Sequence, residues 1–136
     1  MVAMQLQQHR IEALMLIGGF EAFTAMTQLY TYRDKYPQFC IPMIVLPATI
    51  SNNVPGTEVS LGSDTSLNMI VQCCDEIKQS ASSTTRRVFV IETMGGQCGF
   101  LATMAGLAGA ATRVYIPEHG ISFADLAEDV AVRVAA

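Results

Sequence analysis

Two short stretches hold the polar groups with which this chain could grip a ligand. Thr49-Ile50-Ser51-Asn52-Asn53 places two hydroxyls and two amides within five residues. Such groups orient and hydrogen-bond a sugar or a phosphate. The same residues also make an ordinary polar turn ahead of Pro55-Gly56. Gly95-Gly96 is expected to run directly into a helix, where glycines let backbone approach a ligand and free N–H groups favour an anion. A tight strand-to-helix turn accounts for the same glycines, and Met94 by its type alone reads as a core side chain. A third stretch, Gly18-Gly19-Phe20-Glu21-Ala22, has one acid. Glu21 would fall in the first turn of a helix, a place that favours a carboxylate through the helix dipole alone.

What these stretches lack matters equally. Thr49–Asn53 contains no carboxylate, so it offers neither a general base nor a hard oxygen anion for Mg²⁺. Gly18–Ala22 lacks the Gly-Lys-Ser/Thr ending of a Walker loop. Arg86 and Arg87 read as a solvated basic pair, and His9 and His119 as isolated surface residues. The four cysteines, Cys40, Cys73, Cys74 and Cys98, include no C-x-x-C spacing. They are expected to be reduced, mostly buried thiols of a cytoplasmic protein and not a zinc or redox motif.

The elements that must position these groups follow from apolar patterning. Residues 13–17, 42–46, 88–91 and 113–116 are nearly continuous apolar runs, which read as strands covered on both faces. Helix-length segments lie between and after them at 20–35, 62–80, 97–110 and 123–134, with Ser122 as the N-cap of the last. In the second helix Leu67, Ile70, Val71, Cys74 and Ile77 share one face at helical spacing. Gly and Ala dominate the third, which suits close approach to a sheet. The first ten residues read as an amphipathic helix, and 80–85 as a polar loop. Alternating strands and helices give an α/β fold, a three-layer Rossmann-like parallel sheet with crossover helices. Residues 1–136 read as a single partial domain with no internal boundary. In such sheets ligands bind beyond the carboxyl ends of the strands, where the three stretches above fall, together with Pro117-Glu118-His119-Gly120.

Composition narrows the function classes. Hydrophobic residues make up 51% and charged residues 15%, at a net charge of −4. The chain is too apolar to be intrinsically disordered, and its charge argues against nucleic-acid binding through a basic surface. No apolar run approaches the roughly 18 residues of a membrane span. The apolar excess implies faces that something outside this segment covers.

The motifs taken together carry a family resemblance. Ile17–Ala22, Pro47–Glu58, Ile77–Ser82 and Glu92–Gly99 resemble ATP-dependent 6-phosphofructokinase, and more narrowly the C-terminal, regulatory half of the duplicated eukaryotic enzyme. The resemblance runs from about Ile11 to Asp129 and implies an incomplete phosphofructokinase fold, about one third of one half. Catalytic halves of that family carry aspartates that serve Mg-ATP and take the proton from the sugar 1-hydroxyl. The matching positions here are Phe20, Ser51 and Asn53. The resemblance therefore implies no catalytic residue and no metal in this segment, with ATP and Mg²⁺ held by the catalytic half of a full-length enzyme.

What it implies in their place is an effector site for fructose 2,6-bisphosphate. That site would be made of Thr49, Ile50, Ser51, Asn52, Asn53, Met94, Gly95 and Gly96, with Arg87 reaching in from a neighbouring subunit. The implied partners are the sugar bisphosphate, the remainder of the subunit and a homo- or hetero-oligomer of such subunits. A non-catalytic fragment that folds only against the rest of its polypeptide is the alternative.

Overall fold

The structure, a computed structural model, describes residues 1–83 and 87–135. It is α/β, with parallel strands and helices. The residues group into two compact units, Met1–Thr49 with Asn53–Leu61, and Ile50–Asn52 with Gly62–Ala136.

The first unit holds α1 (Val2–Gln8), β1 (Leu14–Gly18), α2 (Phe20–Thr31), a 3-10 turn at Pro37–Phe39, and β2 (Met43–Pro47). β1 and β2 pair in parallel, from Leu14 opposite Met43 to Gly18 opposite Pro47. α2 is the crossover that parallel pairing requires, and it packs on both strands. Glu21 stands in its first turn as expected. Where α2 ends, the Arg33 guanidinium donates to the carbonyls of Phe39 (3.0 Å) and Ile41 (2.8 Å), and it lies over the Tyr30 ring. This one side chain ties the helix to the segment entering β2. α1 packs on the 3-10 turn, where Leu6 and Phe39 are buried.

Coverage of both sheet faces is not found in this unit. Burial alternates along β1, and in β2 Ile44 alone is exposed; Met15, Ile17 and Ile44 are 57%, 65% and 58% exposed. Residue type made both faces apolar, but the unit supplies one covering layer, α2. Fully burying an aliphatic side chain is worth roughly 1.5–3 kcal/mol, so the open face leaves a substantial gain unrealised.

The second unit holds α3 (Ser63–Ser82), α4 (Phe100–Ala108) and α5 (Phe123–Ala135). α3 turns Leu67, Ile70, Val71, Cys74 and Ile77 inward while their neighbours at 68, 69, 72 and 73 are exposed, the face that the spacing predicts. It extends through Ser82, so the start of the expected 80–85 loop is helix; Thr84 and Thr85, like Arg86, lie outside the described residues. The small residues of α4 receive neighbours closely. A Cβ at Gly99 would meet Ile116 Cβ at 2.6 Å, one at Gly106 would collide with Val114, and one at Gly109 would meet Cys74 Cβ at 3.2 Å.

Residues 88–91 and 113–116 pair with no strand among the described residues. This corrects the expectation of four strands. An apolar run specifies an extended segment, but a ladder also needs a neighbour with free N–H and C=O groups, which local sequence does not supply. Instead, 113–116 is held by side chains. Arg113 Nε lies 3.0 Å from Asp129 Oδ1, and the Tyr115 hydroxyl donates to Asp129 Oδ2 at 2.8 Å, securing α5. The Asp129 carboxylate beside it raises the Tyr115 pKa. Ser122 caps α5 as expected: Asp125 N–H donates to its hydroxyl, while the Ser122 hydroxyl and N–H both donate to Asp125 Oδ2. These bonds lower the Asp125 pKa.

Candidate functional site

Thr49 and Asn53 belong to the first unit; Ile50, Ser51, Asn52, Arg87, Met94, Gly95 and Gly96 belong to the second. The stretch after β2 is built by a change of hydrogen-bond partner. Ala48 N–H still donates to Gly18 C=O at 2.9 Å, continuing the β1 pairing. On the other side Leu61 N–H donates to Pro47 C=O at 3.0 Å, and Ala48 bridges Leu61. One residue further on, the Ser60 hydroxyl donates to the Thr49 carbonyl at 2.8 Å. Ser60 is only 2% exposed, so this is a protected bond.

Thr49 also abuts the loop after β1. A Cβ on Gly19 would stand 3.1 Å from Thr49 Cβ and 3.3 Å from its Oγ1. The two post-strand stretches therefore adjoin at the carboxyl ends of β1 and β2. Beyond them, Asn52 adopts φ 51°. Asn is among the few side chains that tolerate this left-handed conformation.

Two expectations about the second stretch are corrected. Gly95 and Gly96 do not lead straight into a helix. They form a turn in which Cys98 N–H donates to Gly95 C=O at 3.0 Å, and α4 begins at Phe100 with Gly99 as its cap. Gly95 has φ 123°, and a Cβ there would lie 2.6 Å from the Cys98 carbonyl oxygen, so glycine is required by the turn itself. Met94 is 68% exposed and not a core side chain. Arg87 is exposed. The thiols are not mostly buried either: Cys40 and Cys73 are exposed, and Cys74 and Cys98 half-buried.

The structure adds a participant to which the sequence had given a place but no role. Glu118 Oε1 accepts the Gly99 N–H at 2.7 Å, at the start of α4. That bond, first of all, lowers the Glu118 pKa, with help from its own backbone N–H and from His119. The anion favoured at this helix end is thus supplied from within the chain. The signal was its position just beyond the fourth apolar run, where parallel-sheet ligand groups gather.

Phe20 offers no oxygen, and Ser51 and Asn53 offer neutral ones. Among the described residues no helix is long and apolar enough to cross a membrane.

The comparisons with known proteins point to one family. The Phosphofructokinase family model matches residues 1–136. ATP-dependent 6-phosphofructokinase of Aspergillus fumigatus is 63% identical over 128 residues, covering 94% of this chain and 16% of the relative. ATP-dependent 6-phosphofructokinase 1 of Caenorhabditis elegans is 57% identical over 131 residues, 96% of this chain and 16% of the relative. The structure of phosphofructokinase from Saccharomyces cerevisiae superposes with a TM-score of 0.89 at 52% identity, over 96% of this chain and 17% of that one. The chain thus spans about one sixth of the length of the curated relatives it matches.

Proposed function

This chain belongs to the phosphofructokinase family, and we propose that it is part of an ATP-dependent 6-phosphofructokinase in which it contributes a regulatory sugar-bisphosphate site and no catalytic group. The whole enzyme would transfer the γ-phosphoryl of ATP, with Mg²⁺, to fructose 6-phosphate in cytoplasmic glycolysis. The observation that carries the reading is Phe, Ser and Asn at positions 20, 51 and 53, where the resemblance implies that catalytic halves carry acids. Phosphoryl transfer is mostly positioning and electrostatics, with a base to take the hydroxyl proton. At neutral pH a serine cannot accept that proton, and Phe20 cannot assist a metal ion.

Removing carboxylates favours a different guest. Each lost negative charge removes repulsion toward a doubly phosphorylated sugar. Thr49, Ser51, Asn52 and Asn53 supply hydroxyls and amides for the sugar and phosphate oxygens, and Ile50 lies within the same stretch. Met94-Gly95-Gly96 supplies backbone that a ligand can approach. Arg87, contributed by a neighbouring subunit, would supply the charge that these neutral donors lack. Fructose 2,6-bisphosphate is the proposed effector, and the remainder of the subunit and an oligomer of such subunits are the proposed partners.

The test is to transplant residues 1–136 in place of the matching segment of the full-length Aspergillus fumigatus relative and assay turnover with and without fructose 2,6-bisphosphate. Activation that falls when Thr49 or Arg87 is changed supports the reading. A chimera that is active yet indifferent to the sugar bisphosphate sinks it.

A further inference from the structure

We propose that Ser60 and Gly19 are positioning residues for Thr49: the first fixes its backbone and the second leaves room for its side chain. The inference rests on the reading above, in which Thr49 holds the effector. It extends that reading to two residues outside the stretches implied to touch the ligand.

Regular strand pairing ends just beyond β2. The backbone of β2 and its continuation is held on one side by Ala48 N–H to Gly18 C=O and on the other by Leu61 N–H to Pro47 C=O. The bridge between Ala48 and Leu61 is the last of this pairing. At Thr49 a side chain takes over from the ladder, as the Ser60 hydroxyl donates to its carbonyl at 2.8 Å. Ser60 is 2% exposed, so water has little access to the donor of this bond, and its loss removes about one hydrogen bond's net worth.

Gly19 acts on the other end of the same residue. The 3.1 Å and 3.3 Å separations of a hypothetical Cβ from Thr49 Cβ and Oγ1 are shorter than ordinary van der Waals contact. Any larger residue would displace Thr49 by a few tenths of an ångström. A β-branched threonine has few χ1 alternatives by which to escape. Backbone and side chain of Thr49 are thus constrained by independent neighbours, as a hydroxyl that must meet a ligand at hydrogen-bond distance requires.

The experiment is a pair of double-mutant cycles in the Aspergillus fumigatus chimera, reading the fructose 2,6-bisphosphate concentration for half-activation and, separately, the thermal midpoint. Ser60→Ala and Gly19→Ala are each expected to raise the half-activating concentration about 2- to 10-fold, the range of one hydrogen bond's net worth. In a Thr49→Ala background each should change it by no more than about 2-fold, because the hydroxyl they position is gone. Their effects on the thermal midpoint should persist in that background. If Ser60→Ala fails to fold, the Gly19→Ala cycle carries the test alone.

A chimera that the sugar bisphosphate does not activate overturns the effector reading and this inference with it. If Thr49→Ala weakens activation while neither partner substitution does, only this inference falls. Undiminished losses in the Thr49→Ala background would likewise overturn it, since both residues would then act through something other than Thr49.

Discussion

Glu118 and Gly99 meet at the start of α4, where the carboxylate Oε1 accepts the Gly99 N–H at 2.7 Å across nineteen residues of chain. A helix start leaves N–H groups without intrahelical partners. Here an acid from the far end of the following extended segment answers that need. The contact therefore joins the turn before α4 to the turn that follows residues 113–116, and it has a pH signature.

Because this bond lowers the Glu118 pKa from its ordinary 4.5, the folded state prefers the ionised form. Its contribution is present above the unfolded pKa and is lost as pH falls through the folded one. Glu118→Gln should lower stability at neutral pH, and its difference from the parent should close in acid. Urea unfolding of both proteins across pH 3–7 checks this. A gap that stays constant over that range would refute the assignment.

Gly99 is constrained by space and not by backbone conformation. Its φ of −79° suits any residue, but a Cβ would lie 2.6 Å from Ile116 Cβ and 2.7 Å from Glu118 Oε2. Gly99→Ala should cost about 1–3 kcal/mol through overpacking. The unfolding midpoint reads the loss, and Ile116→Val alone, which leaves Cβ in place, should not rescue it.

Asn52 is constrained in the opposite sense, by its φ of 51°. Asn52→Gly keeps access to this conformation and should lose less stability than a β-branched replacement. Asn52→Val should lose roughly 1–2 kcal/mol, the cost of a left-handed conformation for an ordinary L-residue. Equal losses in the two variants would mean that the amide group, not the backbone, is what position 52 supplies.

Thr49→Ala and Arg87→Ala should each lower the ratio of activated to basal turnover in the chimera. A mixed oligomer gives the sharper result. If Arg87 acts across a subunit boundary, inactive-effector subunits carrying Thr49→Ala and others carrying Arg87→Ala should partly complement each other. Mixed assemblies no more responsive than either parent would count against a shared site.

Much of this architecture was legible in the sequence because it is local. The buried face of α3 follows from a period of 3.6 residues, and the Ser122 cap of α5 needs only Asp125 three positions away. The β1–β2 pair was legible because a helix-length segment separates two apolar runs. The runs at 88–91 and 113–116 show the limit. Their composition specifies extension, while pairing depends on partners distant in sequence. Met94 was misread as core since residue type reports transfer free energy and not the neighbours available to realise it. Glu118 was visible in place but not in role, because its partner is brought to it only by the path of α4. The polar stretch 49–53 was legible as a candidate, and Gly19 lay in a stretch already singled out, whereas Ser60, whose hydroxyl meets the Thr49 carbonyl, gave no signal of its own.

The open face formed by Met15, Ile17 and Ile44 has a consequence during biosynthesis. β1, α2 and β2 are contiguous and joined by a short crossover, so they can pair soon after residue 47 leaves the ribosome. Translation proceeds at about 5–20 residues per second, so every further 20 residues of a covering layer arrive roughly 1–4 seconds later. Collapse of small chains is complete in far less time. A nascent chain whose covering layer has yet to arrive would display an adhesive strip of methionine and isoleucine, the kind of surface that holdases engage.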